Sequence, residues 1–287
     1  MVQTLVGETS PEFWGQWRVL ICDETHHVQS RTWYDCAMRC SRAAWRFGLS
    51  ATPLTGDPLQ DARLEGATGP LYVVADVPTL AAEGFLATPR IVLLRPDRRS
   101  YPTYEAARDA VFPGWRANPL ALRKMGSRVY AEMYRRGVTE NAVRNALVVG
   151  AAIDHAGRRE RVLVLCTRVP HGETVHGLAS VRLAGGAAPG VRTWFLSGAE
   201  PAERRAEVLR LFRASAGAVL VATPIFNEGG DLPELDVLVV AGGGQSEILT
   251  LQRAGRALRK RPDKDEVLIY DVQDGSPAAR KDYLARH

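Results

Sequence analysis

The chain has 287 residues, 46% hydrophobic and 24% charged, with 26 glycines and 17 prolines; these proportions fit a folded globular protein and exclude a disordered, collagen-like or disulfide-scaffold chain. At roughly 150 residues per domain the length suggests two lobes, each large enough to bury its own core. The net charge of +5 is almost all arginine, which is compatible with a polyanionic partner but does not select one.

In chain order, Arg18 to Cys22 is a compact apolar run that ends in acids, the pattern of a buried parallel strand with functional groups at its carboxyl end. Residues 44–49 and 90–94 form two further such runs. Pro96, Pro102, Pro113 and Pro119 then break up the chain, and Leu120 to Ile153 reads as two helices parted near Gly137, with Thr139 as N-cap of the second. From 161 onward strand-like runs (161–166, 191–196, 217–222, 236–241, 266–271) alternate with helical stretches such as 201–214. That alternation predicts an α/β fold with parallel sheets covered by helices. The expected organisation is a first lobe over 1–96, a helical connector over 97–157 and a second lobe over 158–287. Apolar runs such as 162–166 fall well short of the ~18 residues that would span a bilayer, so no membrane partner is expected. No basic-then-apolar leader opens the chain, and Cys22, Cys36, Cys40 and Cys166 read as reduced thiols of a cytoplasmic protein.

Three segments carry chemistry. Asp23-Glu24-Thr25-His26 follows the first strand directly, where α/β sheets bind ligands. Asp23 could hold Mg²⁺ through water and Glu24 could orient or deprotonate an attacking water, although two solvated acids at a strand end would look the same. Ser50-Ala51-Thr52 follows the second strand, and by itself is also an ordinary turn. The third is Gln252-Arg253-Ala254-Gly255-Arg256-Ala257-Leu258-Arg259, whose arginines recur every three residues along one side of a helix. Such a row suits a transferring phosphoryl group, and a solvated basic face is the bland alternative.

Taken together and in this order, the three segments resemble the superfamily 2 DEAD/DEAH-type helicases. Further matches extend over most of the chain: Val162–Thr167 is similar to motif IV, Leu196-Ser197-Gly198-Ala199 with the following helix to motif IVa, and Ile225–Pro233 to motif V. Ala241–Ile248 is especially similar to phage and bacterial helicases that remodel branched DNA, and Val2–Leu5 to a short nucleic-acid-contacting motif. The resemblance implies two RecA-like parallel-sheet lobes, the first incomplete, and an ATP-dependent helicase that uses ATP and Mg²⁺ on nucleic acid. DNA is the better expectation than RNA, and a phage-encoded protein would act in the host cytoplasm.

Residue by residue, the resemblance implies that Asp23 coordinates the Mg²⁺ of MgATP, with Glu24 beside it as the catalytic base. His26 would bond across the cleft to Gln252, while Ser50, Ala51 and Thr52 transmit the coupling. Arg256 and Arg259 would be arginine fingers with Arg253 a further partner, and Gly229 and Asp231 would lie near the ribose. Gln3, Thr4, Thr167, Arg168, Ser197, Gly198 and Thr223 would touch the nucleic-acid backbone. Thr25 stands where the family usually has Ala or Cys, and Asn227 and Gly230 depart from the usual motif V.

The main departure is that no Gly-Lys dipeptide occurs anywhere, so the phosphate-cradling P-loop is missing and only 22 residues precede the Asp-Glu pair. The expectation is a helicase part inactive alone, its P-loop supplied from elsewhere; a separate chain and a truncated reading frame of an intact helicase are equal explanations, and a decayed remnant is the third. The alternative function is a non-hydrolysing nucleic-acid-binding or helicase-subunit interaction module. Zinc at Cys36 and Cys40 is disfavoured for want of a second ligand pair downstream. Trp14, Trp17, Trp33 and Trp45 read as packing rather than base stacking, and Arg116 to Arg144 equally as a nucleic-acid-facing arm or a solvated helix face.

Overall fold

A computed structural model describes residues 10–50, 53–73, 77–83, 87–117, 125–223, 235–242 and 266–274, with isolated positions Thr4, Leu5, Gly7 and Phe85. It divides into two compact units, Met1–Asp76 and Val77–His287.

In the first unit, helix α1 (Pro11–Gly15) precedes strand β1 (Val19–Asp23), a 3₁₀ turn (Thr25–Gln29), α2 (Arg31–Arg39), β2 (Trp45–Leu49) and α3 (Pro58–Thr68). The two strands pair in parallel, with Asp23 opposite Leu49. Their alternation puts Leu20 and Cys22 against α2 and α3, where Val28, Ala37, Leu64 and Ala67 complete a small core. Arg46 reaches under this layer and donates to the carbonyls of Cys40 (2.7 Å), Ala37 (3.1 Å) and Ala43 (3.2 Å), so a cation neutralises the carbonyl end of α2. The other face of the strand pair is bare: Ile21, Trp45, Phe47 and Leu49 are 63%, 66%, 49% and 57% exposed. Trp14 is packed with Cys36, Cys40 and Ala43, as the packing reading expects, whereas Trp45 is not.

The second unit opens with α4 (Val77–Ala82) and is built on a six-stranded sheet in the order β3-β8-β7-β4-β6-β5, every pair parallel. The strands are β3 (Thr88–Leu94), β4 (Arg161–Leu165), β5 (Arg192–Leu196), β6 (Ala218–Ala222), β7 (Val237–Val240) and β8 (Glu266–Val272). Helices α5 (Tyr104–Val111), α6 (Gly126–Tyr134), α7 (Ala142–Gly157), α8 (Val169–Ala184) and α9 (Ala202–Ala214) accompany it. Alternate residues of β4 serve opposite faces. Val162 and Val164 meet Val148, Ala152, Val175 and Ala179 of α7 and α8, while Leu163 and Leu165 meet Val208 and Phe212 of α9. Burial on both faces gives the continuous apolar runs seen in the sequence, and each buried Val or Leu contributes about 1.5–3 kcal/mol of transfer free energy.

Three expectations are corrected. The strand expected at 90–94 forms, but it pairs along its length with β8 inside the second unit rather than completing the first lobe. A strand's own residues encode burial, whereas the partner is set by a segment almost 180 residues away, from Thr88 to Glu266. The connector expected over 97–157 is not a separate layer, since α7 lays Val148, Val149, Ala152 and Ile153 directly on the sheet. Thr139 is not an N-cap. Helix α6 runs into a π-helical turn, Arg135–Thr139, that moves the next start onward, and the Asn141 side chain accepts the Arg144 N–H at 3.0 Å. No helix among the described residues is long and apolar enough to cross a membrane.

His171, on the first turn of α8, is fully buried; its Nε2 faces Asn145 Oδ1 at 3.0 Å and its Nδ1 has no partner among the described residues. Burial, and secondarily the charge of Arg144, pushes its pKa down to about 3. A depressed folded-state pKa means that the unfolded chain binds the proton first. The associated stability is present above the unfolded value near 6.5 and is lost as pH falls toward 3, by about 1.4 kcal/mol per unit crossed. His171→Gln is expected to flatten the fall in urea midpoint across that window; parallel profiles for variant and parent would contradict it.

Candidate functional site

In the first unit the acids lie at the carboxyl end of a parallel strand, as predicted. Asp23 is exposed and its Oδ1 accepts the Glu24 N–H at 2.9 Å. Glu24 has φ 48° and ψ 52°, a left-handed conformation uncommon for a residue with a side chain and concentrated at functional sites. That bend starts the 3₁₀ turn and carries His26 back, so that its Nδ1 lies 3.3 Å from Ser50 Oγ and 3.5 Å from Glu24 Oε2. The ends of β1 and β2 are thereby joined through one imidazole. Burial is the main cause that lowers the His26 pKa, the neighbouring His27 adds to it, and Glu24 opposes both.

The loop after β2 is tied to the same turn. Gln29 Nε2 donates to the Pro53 carbonyl (2.7 Å) and to Asp61 Oδ1 (3.1 Å), and Asp61 also accepts the backbone N–H groups of Thr55 and Gly56. Gly48 is required beneath them, because a Cβ there would lie 2.7 Å from the buried Thr25 Oγ1. Thr25 therefore occupies the family's small-residue position with its neighbouring space already full.

In the second unit, Thr167 and Arg168 follow β4, Ser197 and Gly198 follow β5, and Thr223 follows β6. The order β4-β6-β5 brings all five to one edge, where Cys166 N donates to Ala222 O (2.9 Å) and Thr223 N to Leu196 O (3.0 Å). Thr167, Arg168 and Gly198 are exposed there, while Ser197 and Thr223 are buried. The Arg168 guanidinium lies 3.9 Å from the Tyr134 ring centroid. Gly242, after β7, allows close approach, since a Cβ would fall 2.1 Å from Thr167 Oγ1. Thr4 lies in a short helical stretch at the start of the chain. Gln3, Ala51, Thr52, Gly229, Asp231, Gln252, Arg253, Arg256 and Arg259, with the motif V segment, lie outside the described residues.

Sequence reasoning did not find the network that organises this edge. Arg144 is fully buried; its Nε donates to Asp274 Oδ1 (2.7 Å), its Nη2 to Asp274 Oδ2 (3.3 Å) and its Nη1 to the Ala241 carbonyl (2.7 Å). The Tyr101 hydroxyl donates to the same Asp274 oxygen at 2.8 Å. A clue was present, in that Arg144 shares a helical stripe with Val148 and Ala152. Arg116, Arg135 and Arg136 pair with Asp109, Glu132 and Glu140, so several arginines of the stretch read as an arm have carboxylate partners. Among the described residues, no three His, Cys, Asp or Glu side chains converge as metal ligands.

A six-stranded and a two-stranded parallel sheet, with polar residues gathered at their strand ends, define an α/β fold that resembles the RecA-like lobes of helicases. Residues 142–261 match the family described as the helicase conserved C-terminal domain. The chain is 24% identical over 92% of its length to the DNA 3'-5' translocase XPB2 of Sulfurisphaera tokodaii, covering 61% of that protein. It is 23% identical over 96% of its length to the ATP-dependent DNA helicase uvsW of Enterobacteria phage T4, covering 49% of it. The chain thus spans about half to three-fifths of these relatives. The crystal structure of the Pyrococcus furiosus Hef helicase domain matches its fold with a TM-score of 0.52 at 16% identity, covering 100% of this chain and 78% of that one. The chain is thus similar over most of its length to proteins named as DNA helicases and translocases, and the match to the helicase conserved C-terminal domain falls within its second unit.

Proposed function

We propose that the chain is the larger part of an ATP-dependent DNA helicase or translocase that couples ATP hydrolysis to unwinding or remodelling of DNA. The observation that carries this reading is the His26–Ser50 contact at 3.3 Å, which links the acids after β1 to the segment after β2 at the strand ends where such sheets bind ligands. MgATP is the substrate. Asp23, exposed at the end of β1, is the residue to hold its metal, and Glu24 is the base that orients and deprotonates the attacking water. His26, whose Nδ1 faces Ser50 and Glu24, belongs with Ser50, Ala51, Thr52 and Gln252 to the coupling set. Arg253, Arg256 and Arg259 supply the cations that stabilise developing phosphoryl charge, and Gly229 and Asp231 serve the nucleotide.

Because no Gly-Lys dipeptide occurs in the 287 residues, the phosphate cradle comes from another polypeptide segment and the chain alone does not turn over. The bare face of Ile21, Trp45, Phe47 and Leu49 supports this, since parallel sheets are normally covered on both sides. The nucleic-acid backbone runs along the edge formed by Thr167, Arg168, Ser197, Gly198 and Thr223, with Gln3 and Thr4 adding contacts from the first unit. There the exposed Arg168 gives the phosphate charge a direct partner.

DNA binding as a function of salt tests the reading. Arg168→Gln is expected to weaken binding similarly across sequences and to reduce the slope of log K against log salt by about 1. A slope identical to that of the parent chain would remove Arg168, and the edge it marks, from the DNA path.

A further inference from the structure

Away from the strand ends just described, on the face covered by α7, the sheet changes character as it nears its β3 edge. The row Val162, Val237, Leu268, Arg90 and the next row, Val164, Val239, Tyr270, Val92, run from a buried apolar surface to an edge strand. Ala151, Asp154 and His155 of α7, with Arg158 at its C-cap, form one stripe above that edge, at spacings of three, four and seven. Between stripe and strands lies a cavity of about 300 Å³ lined by these four residues with Arg90, Val92, Leu268 and Tyr270. This is the lower end of the volume range of small-molecule sites, about 300–1,000 Å³.

Its polar groups fall into two sets. Arg90 and Arg158 are exposed and, like Asp154, have no ion-pair partner among the described residues. His155 is held from both sides: Glu160 Oε2 lies 2.5 Å from its Nδ1 and the Tyr270 hydroxyl 2.8 Å from its Nε2. The Glu160 carboxylate favours a proton on Nδ1, so Nε2 accepts the Tyr270 O–H and the phenolic oxygen is left with lone pairs for the cavity. The lining therefore offers two guanidiniums as donors, Asp154 and the Tyr270 oxygen as acceptors, an apolar floor of Val92 and Leu268, and Ala151 facing it from the helix.

We propose that this cavity is a binding site for a small phosphate monoester carrying hydroxyl groups, a phosphorylated sugar or nucleoside monophosphate. The phosphate meets Arg90 and Arg158, the hydroxyls donate to Asp154 and Tyr270, and the ring lies on the apolar floor. The site stands on the flank of α7, whose opposite end carries Arg144, and it does not depend on the helicase assignment.

Calorimetric titration of the full chain with ribose 5-phosphate and with AMP tests it, with ribose alone as the control lacking phosphate. Both phosphorylated probes are expected to bind and ribose is not. A charge-assisted hydrogen bond corresponds to roughly ten- to hundredfold in affinity, so Arg90→Gln and Arg158→Gln are each expected to weaken binding at least tenfold. Ala151→Leu, which fills the cavity without altering charge, is expected to abolish binding. Unchanged thermal midpoints of the two arginine variants certify their fold. No binding of either probe, or binding indifferent to Arg90→Gln, Arg158→Gln and Ala151→Leu, would overturn the proposal. Displacement of AMP by duplex DNA through the same arginines would assign the site to a phosphodiester backbone and overturn it equally.

Discussion

Replacing Arg144 with leucine is expected to destabilise the second unit by about 3–5 kcal/mol, the range for breaking a buried ion pair by removing one partner. The guanidinium is fully buried, and its loss strands the Asp274 carboxylate, itself 3% exposed, with the Tyr101 hydroxyl as its one remaining side-chain donor among the described residues. It also leaves the Ala241 carbonyl without the donor that reaches it at 2.7 Å. The double variant Arg144→Leu with Asp274→Leu is expected to recover much of the loss, because the cost lies in the uncompensated charge rather than in absence of the pair. Urea unfolding of the three variants measures this. A loss below about 1 kcal/mol for Arg144→Leu would mean that water relieves the carboxylate and that the network does not organise the edge.

The second large effect is on chemistry. Assayed together with the P-loop-bearing partner, Glu24→Gln is expected to lower ATP hydrolysis by about 10²–10⁴-fold, the contribution of a positioned general base. Glu24 is only partly buried and the substitution keeps shape, so DNA affinity and thermal midpoint are expected to stay within error. That separation is diagnostic, because a structural role for Glu24 would move the midpoint together with the rate. Equal turnover by variant and parent would assign the base elsewhere.

The parallel α/β class was legible because strands buried on both faces must be apolar throughout: β4, β6 and β7 stand almost where their runs predict. The acids after β1 and the hydroxyl after β2 were legible because the apolar runs before them mark strands whose ends carry them, although the exposure of one face of those strands was not. Partners were not legible. The run at 90–94 announces a strand, but nothing in it names β8 as its neighbour, and so the first unit was drawn too long. The π-helical turn at Arg135–Thr139 was equally hidden, because helical periodicity and local propensity do not announce one extra residue per turn. Arg144 and Asp274 are 130 positions apart, and each alone reads as a surface charge. The cavity beside α7 combines a helix stripe with two strands whose pairing is itself non-local, and its lining shows no sequence pattern.

The most direct test of the central claim is ATP hydrolysis with and without DNA, by this chain alone and co-expressed with a polypeptide that carries a Gly-Lys-Thr or Gly-Lys-Ser P-loop from the neighbouring reading frame. The account predicts no turnover by the chain alone and DNA-stimulated turnover with the partner, lost again in Glu24→Gln. DNA binding with no hydrolysis in either preparation would contradict it and identify a chain that grips DNA without acting as its motor.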